Sequence, residues 1–154
     1  MRSIAQKRAP VGDRTAMFIG TFTHSFDDKG RLTLPAKFRE ELASGVYITR
    51  GIDHCLIVYP RAAFESLATR MSQLPLLERN SFRHLFANAA DDIPDRQGRV
   101  LVPLHLREYA QIDGDAVVIG LYDHLEIWQP DRWAAVNAQQ DPVALAERLR
   151  EYNI

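Results

Sequence analysis

Two arginines, Arg31 and Arg99, each follow an aspartate by four positions and a glycine by one. The strings are Asp27-Asp28-Lys29-Gly30-Arg31 and Asp95-Arg96-Gln97-Gly98-Arg99. A guanidinium just past a tight turn can donate two parallel hydrogen bonds to guanine O6 and N7, and a β-hairpin is slim enough to carry it into the major groove. Gly30 and Gly98 allow the backbone to turn without a Cβ clash. Asp27 and Asp95 only accept hydrogen bonds when ionised, which makes them poor partners for phosphate; they either brace the turn or orient the arginine. Lys29 with Arg31, and Arg96 with Arg99, put two cations beside each turn. Lys37, Arg39 and Arg107 lie further along, within reach of phosphates, contacts that fix register rather than sequence. A single Asp-x-x-Gly-Arg is equally the signature of a plain hairpin turn with a solvated arginine, so one copy alone decides nothing.

Other reactive side chains point to weaker chemistry. His54 and His124 each follow an aspartate, and Cys55 adjoins the first. No Cys or His spacing of a structural zinc site accompanies them, so they read as turn residues rather than a metal pair. Asp91, Asp92 and Asp95 form an acidic cluster that reads as a solvated loop. There is no Gly-rich phosphate loop, nucleophile elbow or paired acid/base signature. The expectation is a protein without catalytic residues, metal ligands or cofactor, and therefore not an enzyme. Trp128 and Trp133 flank Pro130 and are expected to pack a hairpin against the helix that follows, with a contact between protomers as the other reading.

The elements that must position these turns are repeated. Asp27, Gly30, Arg31 and Pro35 recur at Asp95, Gly98, Arg99 and Pro103, a constant offset of 68. The match continues through Phe38-Arg39-Glu40 and Leu106-Arg107-Glu108, then Val46–Thr49 and Ala116–Ile119, then Asp53-His54 and Asp123-His124. Four identities at one spacing followed by a shared pattern mark a duplicated unit. Within each unit the period is that of strands: Phe22, His24 and Phe26 alternate with Thr21, Thr23 and Ser25, and Arg31 to Leu34 alternates again after the turn. Pro35 stops the ladder. A short helix is expected over Ala36–Leu42, then a second hairpin of Val46–Thr49 and Leu56–Tyr59 turning near Asp53-His54. Apolar residues three and four apart predict helices over Arg61–Gln73 and Leu76–Ala89, with Pro75 between them. Asp141-Pro142 begins a capped terminal helix. The stripes on these helices are expected to be core or interface. The fold class is α+β, with residues 1–16 as an extension, 17–63 as the first unit and 64–90 as linking helices. Residues 91–133 form the second unit and 134–154 the C-terminal helix.

Composition narrows the setting. At 46% hydrophobic and 25% charged, the chain has the balance of a soluble globular protein. With one cysteine, no intramolecular disulfide forms, and a cytoplasmic location is expected. No uncharged run reaches the roughly 20 residues of a membrane helix. The net charge is −1, yet Arg2, Lys7, Arg8 and Arg14 sit within the first sixteen residues, so the remainder is net acidic. A positive field over the whole surface is excluded, and any DNA contact must come from local clusters. The N-terminal arm reads as a disordered extension, or as a basic arm tracking phosphates.

The string Asp27 to Pro35 resembles the loop hairpin of AbrB-like swapped-hairpin transcription factors. Its second copy at Asp95–Pro103, with Gly51-Ile52-Asp53-His54-Cys55-Leu56 and Tyr59-Pro60, narrows the resemblance to the MraZ family and covers nearly everything from Met17 to Ile154. Residues 1–16 depart from the family pattern as an extension or an upstream start. The resemblance implies two AbrB-like halves intertwined in one chain and protomers closed into a homo-oligomeric ring. It also implies binding to double-stranded DNA at short G-rich direct repeats in a promoter, upstream of a division and cell-wall gene cluster that includes the protein's own gene. The expected role is a nucleoid-associated repressor. The family's DNA-contacting Asp-x-x-x-Arg loop falls on Asp27 and Arg31, and on Asp95 and Arg99. Two other classes remain: an assembly protein whose hairpins serve oligomerisation or docking, and a swapped-hairpin antitoxin. The folded look of both halves argues against the antitoxin.

Overall fold

The computed structural model describes residues 17–154, so the extension over 1–16 and its basic residues lie outside the described part. The first repeat begins with β1 (Phe18–Ser25), turns at Asp27–Gly30 and returns as β2 (Arg31–Thr33). A single 3-10 turn over Ala36–Phe38 runs into α1 (Arg39–Leu42), followed by β3 (Val46–Arg50) and β4 (Leu56–Pro60). Next come α2 (Arg61–Ser72), α3 (Leu76–Asn80) and α4 (Arg83–Ala87). The second repeat then supplies β5 (Ala90–Asp92), β6 (Arg99–Leu101), α5 (Leu104–Ala110), β7 (Asp115–Tyr122) and β8 (Leu125–Trp128). The chain closes with α6 (Pro130–Ala138) and α7 (Pro142–Glu151). The architecture is α+β.

The strands of the two repeats are exchanged. One antiparallel sheet runs β1-β7-β8-β4-β3-β5, and a second contains only β2 and β6. β1, which leads into the first turn, pairs with β7 of the second repeat, Phe22 opposite Val118. β5, which leads into the second turn, pairs with β3 of the first, Val46 opposite Asp92. The two return strands meet each other, with Leu32 opposite Val100 and Thr33 opposite Arg99. Neither hairpin closes on its own repeat alone, and each turn is held from both halves of the chain.

The main hydrophobic core joins these layers. Leu32, Leu34, Phe38 and Leu42 are buried beside Val100, Val102, Leu106 and Ala110, their counterparts in the second repeat. Ile48, Leu56, Val58, Val118, Leu125 and Ile127 from the large sheet complete it. The alternation in β2, a buried Leu32 between half-buried Arg31 and Thr33, turns the leucine inward and leaves the arginine on the outer face. Each fully buried leucine contributes about 1.5–3 kcal/mol relative to an exposed one, so the turns stand on a firm base.

One helical expectation changes and another narrows. Leu76–Ala89 is not one helix but α3 and α4, broken at Ser81-Phe82. Ser81 and Phe82 donate to Glu78 and Arg79, three residues back, at 3.1 and 3.0 Å. Asn80 and Ser81 are weak helix formers, and the tighter turn ends the α-helical ladder there. In α7 the expected cap is present: Asp141 Oδ1 accepts from the Val143 N–H at 3.0 Å, with Pro142 at the first helical position. Its apolar stripe, however, is not core within this chain, since Val143, Leu145 and Leu149 are exposed. Without tertiary burial the cap matters more, and Asp141→Ala is expected to cost about 1 kcal/mol of helix stability. Faster amide exchange confined to α7 would show it, and unchanged exchange would refute it.

Candidate nucleic-acid interface

Each turn is tied by one carboxylate acting in two directions. Asp27 Oδ1 accepts from the backbone N–H groups of Lys29 and Arg31, both at 2.9 Å. Its Oδ2 accepts from Nε of Arg31 at 2.8 Å. Asp95 repeats the arrangement, with Oδ1 accepting from the Gln97 and Arg99 N–H groups at 2.9 Å and Oδ2 from Arg99 Nε at 2.8 Å. The Asp27 and Gly30 backbones close the first turn, Gly30 N–H donating to Asp27 O at 3.1 Å, and Gly98 does the same to Asp95 at 2.9 Å. Gly30 and Gly98 take φ of 80° and 77°, the left-handed region where a side chain is strained. One carboxylate thus braces the turn and orients the arginine. Clamping Nε restrains the guanidinium plane, and this hydrogen bond uses neither terminal nitrogen, the pair that meets a guanine edge in a bidentate contact.

The two clamped arginines are neighbours. Arg99 Nη1 lies 4.0 Å from Asp27 Oδ2, the carboxylate of the opposite turn. The Arg31 and Arg99 side chains are about a third exposed, at 31% and 28%. The central β2–β6 pairing brings them together, because register places Thr33 opposite Arg99 and Arg31 opposite Leu101. Lys29, Arg96, Lys37 and Arg39 are all exposed. Arg39 lines a shallow groove with Leu34, Pro94, Arg96 and Gly98, while half-buried Arg107 donates from Nε to Val102 O at 2.9 Å. The turns are not identical in charge: exposed Asp28 at the first apex is replaced by Arg96 at the second.

Electrostatics keep both clamps ionised. The Arg31 backbone N–H, then its side chain, pull the Asp27 carboxyl down to about 2. Asp95 is lowered in the same way, with the Arg99 backbone N–H as the first cause. Because the folded value lies below the ordinary 3.8, ionised Asp27 contributes fully above that pH and its contribution disappears as pH falls through about 2. An NMR pH titration should therefore show Asp27 titrating well below 3.8, with the Lys29 and Arg31 amide shifts following the same curve. Titration near 3.8 would mean that the clamp is absent. Burial, then the neighbouring Arg39, lower the His24 pKa.

The weaker candidates stay apart. His54 stacks on Tyr109 at 5.0 Å, whereas His124 bonds Asp123 at 2.7 Å and lies against Tyr59. Burial pushes the Cys55 thiol up to about 12, far from a thiolate ligand or nucleophile. In the acidic cluster each residue has its own partner: Asp91 meets Arg61 at 3.5 Å, Asp92 accepts from the Leu101 N–H at 2.7 Å, and Asp95 holds its turn. Among the described residues no three His, Cys, Asp or Glu side chains gather as a metal site. Trp128 and Trp133 pack at 5.6 Å, joining the β7–β8 hairpin to α6.

A family model described as "MraZ protein, putative antitoxin-like" matches twice, over residues 17–83 and 85–152. The chain belongs to the MraZ family. Each match contains one clamped Asp–Arg turn. Relatives named transcriptional regulator MraZ are similar over most of the chain. The one from Roseiflexus castenholzii is 48% identical over 140 residues, covering 88% of this chain and 98% of its own length. That from Salinispora tropica is 48% identical over 128 residues, covering 81% and 90%. The Mycobacterium tuberculosis relative is 51% identical over 120 residues, covering 76% and 84%. The MraZ match begins at Met17, where the described residues also begin.

The sequence did not reveal what Arg39 and Arg107 touch. Arg107 lies over Gly30 and Arg39 over Gly98, each on the turn of the opposite repeat. Their only signal was the matched Arg-Glu pair after each Pro, which carries no information about the strand exchange that brings them there.

Proposed function

We propose that this chain is a transcriptional regulator that binds double-stranded DNA through its paired Asp-x-x-Gly-Arg turns. The observation that carries the reading is the side-by-side placement of two arginines, each held through Nε by a carboxylate. In this reading Arg31 and Arg99 meet base edges, and Lys29 and Arg96 at the apices meet flanking phosphates, as does Lys37. The names of the similar proteins support regulation as the role.

A single pair of arginines gives modest affinity, about 1–3 kcal/mol for each good base contact. A ring of protomers facing direct repeats in a promoter raises the effective concentration of the second and later contacts, and can multiply affinity by about 10²–10⁴. Ring assembly and repeated sites then belong to one mechanism, with repression of the protein's own division and cell-wall gene cluster as its output at the nucleoid. The exposed stripe of α7 (Val143, Leu145, Leu149) favours self-association. If the turns serve only assembly or docking, DNA is not bound at all.

Binding of the purified protein to its own upstream DNA across a salt series tests the reading. Preference for repeat-bearing over random DNA, with log K falling linearly against log salt, is expected, and the slope counts the phosphates engaged. Equal binding to both DNAs at every salt concentration would reject it.

A further inference from the structure

Arg107 in α5 and Arg39 at the start of α1 occupy equivalent positions, and each reaches across to the turn of the other repeat. A Cβ placed on Gly30 would lie 2.8 Å from Nη2, 3.0 Å from Cζ and 3.1 Å from Nε of Arg107. Three guanidinium atoms at nearly one distance mean that the flat face of Arg107 rests on the glycine. On the other side, a Cβ on Gly98 would lie 3.0 Å from Arg39 Cζ and closer still to its Nε. Both glycines therefore meet two separate demands, a left-handed φ and room for an arginine from the opposite repeat.

On the first turn the contact is closed into a clamp. Gly30 O accepts from the Val102 N–H at 2.9 Å, and Val102 O accepts from Arg107 Nε at 2.9 Å. Arg107 then lies back over Gly30, one residue before Arg31. On the second turn Gly98 O accepts from the Leu34 N–H at 2.8 Å, and Arg39 lies over Gly98. We infer that Arg107 and Arg39 are positioning residues that set each DNA-facing turn from the opposite repeat. Arg107 sets the Asp27–Arg31 turn, and Arg39 sets the Asp95–Arg99 turn. The consequence for DNA rests on the function proposed above; the consequence for the free protein does not. Part of each turn's geometry is then supplied by the other repeat, so the two arginine forks keep a fixed relation to one another.

Double-mutant cycles separate this role from a phosphate contact. Arg107→Met keeps most of the stem and removes the fork. It is expected to weaken DNA binding about threefold or more. Added to Arg31→Ala it should cost little further, whereas added to Arg99→Ala the losses should multiply. Arg107→Lys keeps the charge and is expected not to restore binding, because an ammonium neither lies flat on Gly30 nor bonds Val102 O as Nε does. Losses that multiply with both arginine variants, together with rescue by lysine, would overturn the inference. In the free protein, amide exchange at Lys29, Gly30 and Arg31 should accelerate in Arg107→Met while Gln97, Gly98 and Arg99 change less; the reverse pattern or equal change would also overturn it. Arg107→Lys serves for the exchange measurement if Arg107→Met does not fold. If the wild-type protein binds no DNA, the proposed function fails, and the exchange result still decides the positioning role.

Discussion

Replacing Arg31 and Arg99 together with alanine is expected to lower affinity for repeat-bearing upstream DNA by about 30-fold to 10⁴-fold, two base contacts of about 1–3 kcal/mol each. Fluorescence anisotropy at fixed salt measures it. The fold should survive, because both side chains sit about a third exposed outside the core and each aspartate keeps its backbone hydrogen bonds. Unchanged elution in size-exclusion chromatography would show that assembly is intact. Lysine at the same two positions sharpens the test. It keeps the charge, and so much of the affinity for any DNA, but loses the planar fork, so discrimination between repeat and random DNA should collapse. A double alanine variant that binds as tightly as the wild type would remove the arginines from the mechanism.

Leu32→Ala should damage the fold severely. Leu32 is fully buried, pairs with Val100 where β2 meets β6, and stands immediately after Arg31. Truncation of a buried leucine costs about 2–5 kcal/mol, a large share of the roughly 5–15 kcal/mol that holds a typical domain. Denaturant unfolding at constant protein concentration should show a lower midpoint with an unchanged slope. It should also remain a single transition, because β1 and β5 form the two edges of the six-stranded sheet and each pairs with a strand of the other repeat. A loss below about 1 kcal/mol, or a second repeat that stays folded after the first has melted, would contradict the interlocked core.

Much of this organisation is legible in the sequence because it is local. The Asp-to-Gly spacing defines the turns, the alternation around Leu32 defines the inward face, and Asp141-Pro142 defines the start of α7. The duplication is visible because Asp, Gly, Arg and Pro return at one offset. Pairing partners are not local, and nothing in the pattern of Phe18–Ser25 says that it lies beside Asp115–Tyr122 rather than beside its own return strand; only the family resemblance pointed there. The reach of Arg107 to Gly30 follows from that exchange and was hidden with it. The break between α3 and α4 was masked by Phe82, Leu85 and Phe86, which keep a helical period across two residues that do not keep a helical ladder. The roles of Asp27 could not be separated in the sequence because the two oxygens of one carboxylate divide them, one for the backbone and one for the arginine.

Site-specific photo-crosslinking tests most directly whether the paired turns touch DNA. A photoreactive residue at position 29 or 97, the exposed apices of the two turns, should crosslink to repeat-bearing DNA, whereas one at position 145 on α7 should not. Crosslinks from both apices would place the turns on the duplex. Crosslinks from position 145 alone, or from none of the three under conditions where the protein binds that DNA, would contradict the account.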